Sequence, residues 1–219
     1  MLRATAVVVV AAAGLAGAGW SAEGAAPHPE RAAVGVETSG CHATSDRATG
    51  WVGPGGLVVT VAHAVRGSTA VTADGAPARV IGLDLRSDVA VLAVSDGNHV
   101  GGLALKPDET RRGAAWVAHV EDGRPRATAT STSNSLVITI DEPADDTTYT
   151  RRGLSLTFGA VRGDSGAPVV DRAGAVVGMV FATARADAHL SYAVSAAEIA
   201  SVLSGLSPQS PSVPTGRCG

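Results

Sequence analysis

The sequence predicts an all-β protein closed by one C-terminal helix, and three observations carry that expectation. Apolar residues make up 45% of the 219 and charged residues 17%, yet aromatics are only 3%. Such a chain can bury a core, but it has to build it from Val, Ala, Leu and Ile, of which the β-branched members suit a pleated surface. The apolar residues fall in short runs at regular spacing, divided by Gly, Pro and Asp turn signals. Beyond the N-terminal apolar run, helical periodicity is confined to 195–206, where Ser195 can cap, Glu198 follows three residues on, and Ile199, Val202, Leu203 and Leu206 share a face.

In chain order, residues 1–24 read as a secretory signal peptide. Arg3 gives the positive start, 4–19 carry no charge, and Ala22-Glu23-Gly24 places small residues at a cleavage site. The run is short for the ~20 residues of a spanning helix, which favours cleavage over a retained anchor; a membrane partner is expected only if the anchor is kept. Residues 25–40 are Pro- and Ala-rich at first and read as a linker. Strands are expected at 49–52, 57–62, 69–72, 78–85 and 89–94, with turns at Gly53-Pro54-Gly55-Gly56, Asp74-Gly75 and Asp96-Gly97-Asn98, and 102–105 ends this half. Polar residues 106–112 cross to a second half. There 114–120 is a strand, Asp122-Gly123 a turn, 126–130 and 135–140 a hairpin, 141–146 an acidic loop, and 154–158 a strand. A second hairpin spans 167–170 and 175–183, and 190–194 is the last strand. Residues 207–219 form a Pro/Ser tail carrying Cys218. Two halves of short strands are the pattern of a β-sandwich or barrel.

Composition excludes several classes. Net charge is -3 with no basic run, which argues against a nucleic-acid partner. Zinc-type Cys/His spacing and a phosphate-cradling Gly-rich loop followed by Lys are missing, so neither metal nor cofactor is expected. The two cysteines, Cys41 and Cys218, flank the mature chain. In an oxidising compartment they are expected to pair, and closing so long a loop contributes up to ~5 kcal/mol in the chain-entropy model.

The chemistry centres on Val161-Arg162-Gly163-Asp164-Ser165-Gly166-Ala167-Pro168. Two glycines allow tight backbone around one serine, so Ser165 can be held rigidly while the N–H groups of Gly163 and Ser165 form an oxyanion hole. A plain Gly-Asp-Ser-Gly turn between strands is the competing interpretation. A serine hydroxyl is a weak nucleophile and needs a base; histidine suits the task, and a buried carboxylate on its other nitrogen fixes the tautomer. His63 ends a long apolar strand run and starts a short small-residue turn, which His28, His42, His99, His119 and His189 do not. Asp88 is preferred to Asp84 because a buried strand begins directly after it. His63, Asp88 and Ser165 are therefore the candidate triad.

At Thr60-Val61-Ala62-His63, Asp88-Val89-Ala90-Val91-Leu92 and Gly163-Asp164-Ser165-Gly166-Ala167-Pro168 the chain resembles the trypsin/chymotrypsin-like serine proteases. It is similar more narrowly to the MarP-type periplasmic proteases of actinobacteria and less closely to HtrA proteases. The likeness extends from about residue 41 to 206. It implies two six-stranded antiparallel β-barrels, about 41–106 and 113–194, with the helix 195–206 behind them. It also implies hydrolysis of a protein or peptide substrate through an acyl-enzyme, outside the cytoplasm: secreted or in the cell envelope. Ala167 stands where the family usually has a second glycine. An Ile-Val-Gly-Gly start for zymogen-type activation is missing, which leaves open whether Asp164 pairs with a new amino terminus. The resemblance places the substrate pocket at Gly159, Ala160, Phe181, Ala182, Thr183, Ser191 and Ala193; with no carboxylate on its floor, a small or medium apolar P1 residue is expected. A catalytically inactive protease-fold binding protein is the alternative, which a turn distorted by Ala167 would favour. An α/β-hydrolase esterase is disfavoured by the chain order and by the lack of Gly-x-Ser-x-Gly.

With a histidine base of ordinary basicity, activity is expected to fall as pH drops below roughly 6.5. A pH–rate profile flat to pH 4 would contradict His63 as the base.

Overall fold

A computed structural model of the protein describes residues 28–40, 46–95, 102–108, 112–142 and 147–217. The expected signal peptide and both cysteines lie outside the described residues.

Six strands close the first barrel: β1 (Ala33–Ser39), β2 (Asp46–Val52), β3 (Val58–Thr60), β4 (Ala70–Ala73), β5 (Ala76–Asp84) and β6 (Val89–Val94), in the order β1-β2-β3-β6-β5-β4 with β4 returning to β1. The segment expected to be a linker therefore supplies a wall of this barrel. Its sequence alternates, and Val34, Val36 and Thr38 are buried while Glu37 and Ser39 face out. Val34, Val36, Val58, Val71, Val80 and Leu92 fill the interior. Gly50 lets that interior close, because a Cβ there would stand 2.9 Å from both Val36 and Val58 side chains. At the Asp74-Gly75 turn both residues have positive φ, 47° and 80°, the geometry of a tight two-residue hairpin.

The second half is a seven-stranded sheet: β7 (Gly113–Glu121), β8 (Arg124–Thr132), β9 (Leu136–Glu142), β10 (Thr147–Leu156), β11 (Pro168–Asp171), β12 (Val176–Thr183) and β13 (Ser191–Ser195). Its order is β13-β12-β11-β7-β8-β10-β9, and β13 also pairs with β10. Six strands thus form a ring and β9 flanks it on β10, one strand more than expected. The expected hairpin of 126–130 with 135–140 does not form. β8 pairs with β7 from Glu121↔Arg124 to Gly113↔Thr132, and β9 pairs with β10. The local Asp122-Gly123 turn, with φ of 48° and 72°, decides the partner. β10 begins at Thr147, well before the expected 154. Its first half is polar because Thr147, Thr148, Thr150 and Arg152 are exposed, which hides the strand from an apolar search.

α2 (Ala196–Leu203) starts where expected, with Ser195 Oγ accepting from Glu198 N–H at 3.4 Å, and ends before Gly205, whose φ is 77°. Val202, Leu203 and Leu206 pack on Leu57, Ile81 and Val91 of the first barrel. Glu198 ties the halves together, accepting from Arg86 Nη2 at 2.9 Å and from Arg152 N–H at 3.2 Å. The tail is a strap on the first barrel as far as residue 217. Val213 N–H donates to Val80 O, Gly67 N–H to Thr215 O and Thr215 Oγ1 to Ser68 O, each at 2.9 Å. Arg79 holds Pro208 O and Ser210 O. Among the described residues, no helix is long and apolar enough to cross a membrane.

Asp171 closes the β11–β12 turn, accepting from Ala173 N–H at 2.9 Å, Ala175 N–H at 3.0 Å and Lys106 Nζ at 3.0 Å. Burial pushes its carboxyl up, but the donors from Ala175, Lys106 and Ala173 outweigh burial and hold it below the usual carboxylate range. A depressed folded value means that its stabilisation is present above the unfolded value of about 4 and is lost as pH falls through the lower folded one. Asp171→Asn is expected to lower unfolding free energy by about 1–2 kcal/mol at pH 6, with the deficit shrinking below pH ~4. Urea titrations at pH 6 and pH 3 check this; an equal deficit at both would refute it.

Candidate active site

β3 delivers the chain through Val61 into α1 (Ala62–Val65), a single turn that carries His63. Asp88 precedes β6 and is buried, with φ at 59°, a region that a non-glycine residue rarely adopts. That backbone turns both its oxygens onto one residue. Oδ1 accepts from His63 N–H at 2.9 Å and Oδ2 lies 2.8 Å from His63 Nδ1. An ionised carboxylate only accepts, so Nδ1 carries the proton and Nε2 is left as the basic nitrogen. Asp84, the competitor, caps its own turn instead, accepting from Arg86 N–H and Ser87 Oγ.

Arg151 of β10 is a third participant that the sequence did not reveal. It is 4% exposed, and its Nη1 lies 3.5 Å from Asp88 Oδ2. Its guanidinium carbon sits 4.8 Å from the Phe181 ring centroid, and Nε has no hydrogen-bond partner among the described residues. Phe181, Ala182, Tyr149 and Leu85 line a cavity of about 260 Å³ beside His63 and Asp88. The sole sequence signal was the offset of two positions between Arg151 and Gly153, which puts both on one face of the strand.

The Ser165 turn packs against the first barrel. Thr49, fully buried, donates Oγ1 to Gly163 O at 2.8 Å, and its N–H donates to Ser165 O at 2.9 Å. Thr60 Oγ1, three residues before His63, donates to Thr49 O at 2.8 Å. Gly166, with φ at 92°, fits against this corner; a Cβ would run into Thr49 O and Thr60 Oγ1. Within the turn, Asp164 N–H donates to Val161 O, Gly166 N–H to Val180 O and Ala167 N–H to Asp164 O. The N–H groups of Gly163 and Ser165 have no hydrogen-bond partner among the described residues. Ala167 is fully buried, and its methyl packs in the core of the second sheet with Val169, Val180 and Leu156.

Asp164 pairs inside the chain, with His119 of β7. His119 Nδ1 lies 2.9 Å from Asp164 Oδ1, and Val161 N–H donates to Oδ2 at 2.9 Å. In the sequence His119 was weighed only as a rival to His63 and set aside, since it interrupts an apolar strand as one polar residue. A buried polar position on a strand nevertheless requires a partner.

The residues expected around the substrate pocket divide into three groups. Gly159 and Ala160, Thr183 and Ser191 come together: Ala160 N–H meets Ser191 Oγ at 3.0 Å, Thr183 Oγ1 donates to Ala160 O at 3.0 Å, and Ser191 Oγ donates to Phe158 O. Gly159 lies under the Ala188 carbonyl. Phe181 and Ala182 line the cavity beside His63 instead. Ala193 is fully buried in the core with Leu154 and Val177. Among the described residues, no cluster of His, Cys, Asp and Glu is arranged to hold a metal.

A closed six-stranded barrel joined to a second β unit, with a histidine held by an aspartate in the first and a Gly-Asp-Ser-Gly turn of the second seated on Thr49 and Thr60, defines a serine-peptidase scaffold. The chain belongs to the trypsin-like peptidase family, whose domain matches residues 48–179. It is 34% identical over 179 residues to serine protease Rv3671c of Mycobacterium tuberculosis, covering 78% of this chain and 44% of that protein, so it spans less than half of that relative's length. The crystal structure of the Rv3671c protease in its active form superposes with a TM-score of 0.70 at 30% identity, covering 87% of this chain and 86% of that one. The HtrA-type protease AlgW with a tripeptide shares the fold, with a TM-score of 0.63 at 20% identity over 80% of this chain and 60% of that one.

Gly166→Ala is expected to lower the unfolding free energy by about 2–4 kcal/mol, because both the φ and the contact with Thr49 have to give. Denaturant unfolding beside wild type measures it, and an unchanged midpoint would show that the corner is not tightly packed.

Proposed function

We propose that this chain is an exported serine endopeptidase in which Ser165 is the nucleophile, His63 the general base and Asp88 its orienting carboxylate. The observation that carries this reading is the two-point hold of Asp88 on His63, at 2.8 and 2.9 Å, which leaves Nε2 as the basic nitrogen. Ser165 Oγ attacks the scissile carbonyl and passes its proton to Nε2, while Asp88 stabilises the imidazolium. The N–H groups of Gly163 and Ser165, which lack other partners among the described residues, receive the oxyanion. His63 then protonates the leaving amine, and water attacking the acyl-enzyme by the same route in reverse frees the acid.

The substrate is a peptide segment. The walls at Ala160 and Thr183 support a small or medium apolar side chain at P1. The uncharged run after Arg3 supports an extracytoplasmic location, where Cys41 and Cys218 would pair. The described neighbours of both cysteines approach one segment: Thr69 N–H donates to Ser39 O at 2.8 Å, and Gly67 N–H to Thr215 O at 2.9 Å.

Fluorophosphonate labelling, mapped by peptide mass, tests the triad. Wild type is expected to label at Ser165, and both Ser165→Ala and His63→Ala to lose the label and at least ~10³-fold of peptidase activity. A folded wild-type protein that takes no label would favour a protease-fold binding protein instead.

A further inference from the structure

We propose that His119 is a positioning residue for the oxyanion turn, acting through Asp164; this rests on the triad reading above. Residues 161–164 form a β-turn closed by Asp164 N–H to Val161 O at 3.1 Å, with Gly163 at its third position and φ at 103°. Positive φ there is the mark of a type II turn, which differs from type I by a flip of the central peptide. That central peptide carries the Gly163 N–H. Its direction therefore decides whether the oxyanion meets a donor or a carbonyl.

Two braces hold the turn. The Asp164 side chain spans it from outside the backbone pair, Oδ2 taking the Val161 N–H at 2.9 Å. Thr49 Oγ1 takes the other side, donating to Gly163 O. Both braces lead back to consecutive residues of β7: His119 holds Asp164 Oδ1 at 2.9 Å, and Val120 N–H donates to Thr49 Oγ1 at 3.2 Å. His119 is itself fixed, with Nε2 3.1 Å from Thr128 Oγ1 and its ring edge-on to Phe158 at 5.6 Å. Asp164 is 3% exposed, so its carboxylate depends on these donors and cannot exchange them for water. Both of its oxygens are satisfied from within the chain, which fixes the turn without a charge brought from elsewhere.

The test compares wild type with His119→Leu, which fills the space without a donor, and His119→Asn, which restores an N–H near Nδ1. Steady-state kinetics on a peptide substrate are paired with the affinity of a peptide aldehyde, whose tetrahedral adduct needs the oxyanion donors. His119→Leu is expected to lose about 10²-fold or more in kcat with KM within ~3-fold, and to lose aldehyde affinity in parallel. His119→Asn is expected to recover at least a tenth of wild-type kcat. If His119→Leu does not fold, the same variant combined with Asp164→Asn, which removes the buried charge with its partner, takes its place with the same expectation. Wild-type kcat and aldehyde affinity in the Leu variant, or a loss in KM alone, would overturn the proposal. A wild-type protein that takes no fluorophosphonate label would instead fail the triad reading, so the two failures are distinguishable.

Discussion

The contact of Gly166 with Thr49 and Thr60 is the constraint on which the seating of the Ser165 turn depends. Thr49 lies on β2 and Thr60 on β3, so the turn that carries Ser165 is seated on the wall of the other barrel. From Thr60, the last residue of β3, the chain runs three residues on, into α1, to His63. Ser165 and His63 therefore take their relative position from one corner of backbone. The alignment does not rely on long side chains reaching across a gap. Close-packed interiors transmit small displacements, and a methyl at Gly166 would fall on the Thr49 carbonyl.

Around that corner the chain buries four ionisable groups that globular proteins usually keep outside: Asp88, Arg151, Asp164 and His119. They form two separate pairs, each with one carboxylate. Asp88 faces His63 and Arg151; Asp164 faces His119 and the Val161 N–H. Charges in such surroundings are stabilising only while partnered, so each pair fixes geometry more than it adds to net stability. Asp88 holds His63 and Asp164 holds the turn.

Much of this arrangement was legible in the sequence. Val89–Val94 appeared as a strand with its observed limits, and the Asp74-Gly75 and Asp122-Gly123 turns were marked by the residues that positive φ selects. His63, Asp88 and Ser165 stood out because their neighbours were apolar strands or glycines. The misses share a different character. β1 was hidden by a Pro- and Ala-rich approach, and the first half of β10 by exposed threonines. Thr49, His119 and Arg151 were missed because each works through a contact distant in sequence: Thr49 with Gly163, His119 with Asp164, Arg151 with Asp88. Periodicity reports which face a residue occupies, and it does not report which residue waits on the other side.

The strap formed by 207–217 belongs to the first barrel by position and to the end of the described chain by sequence. Synthesis runs from the amino terminus, so all six strands of that barrel emerge before the second half, and the strap emerges after it. Val80 O, Ser68 O, the Gly67 N–H and the Arg79 guanidinium thus take partners that lie beyond the whole of the second half. Closing these contacts carries the loop-closure cost of the chain between, so the early-made half is held together in part by the longest-range pairings in its wall.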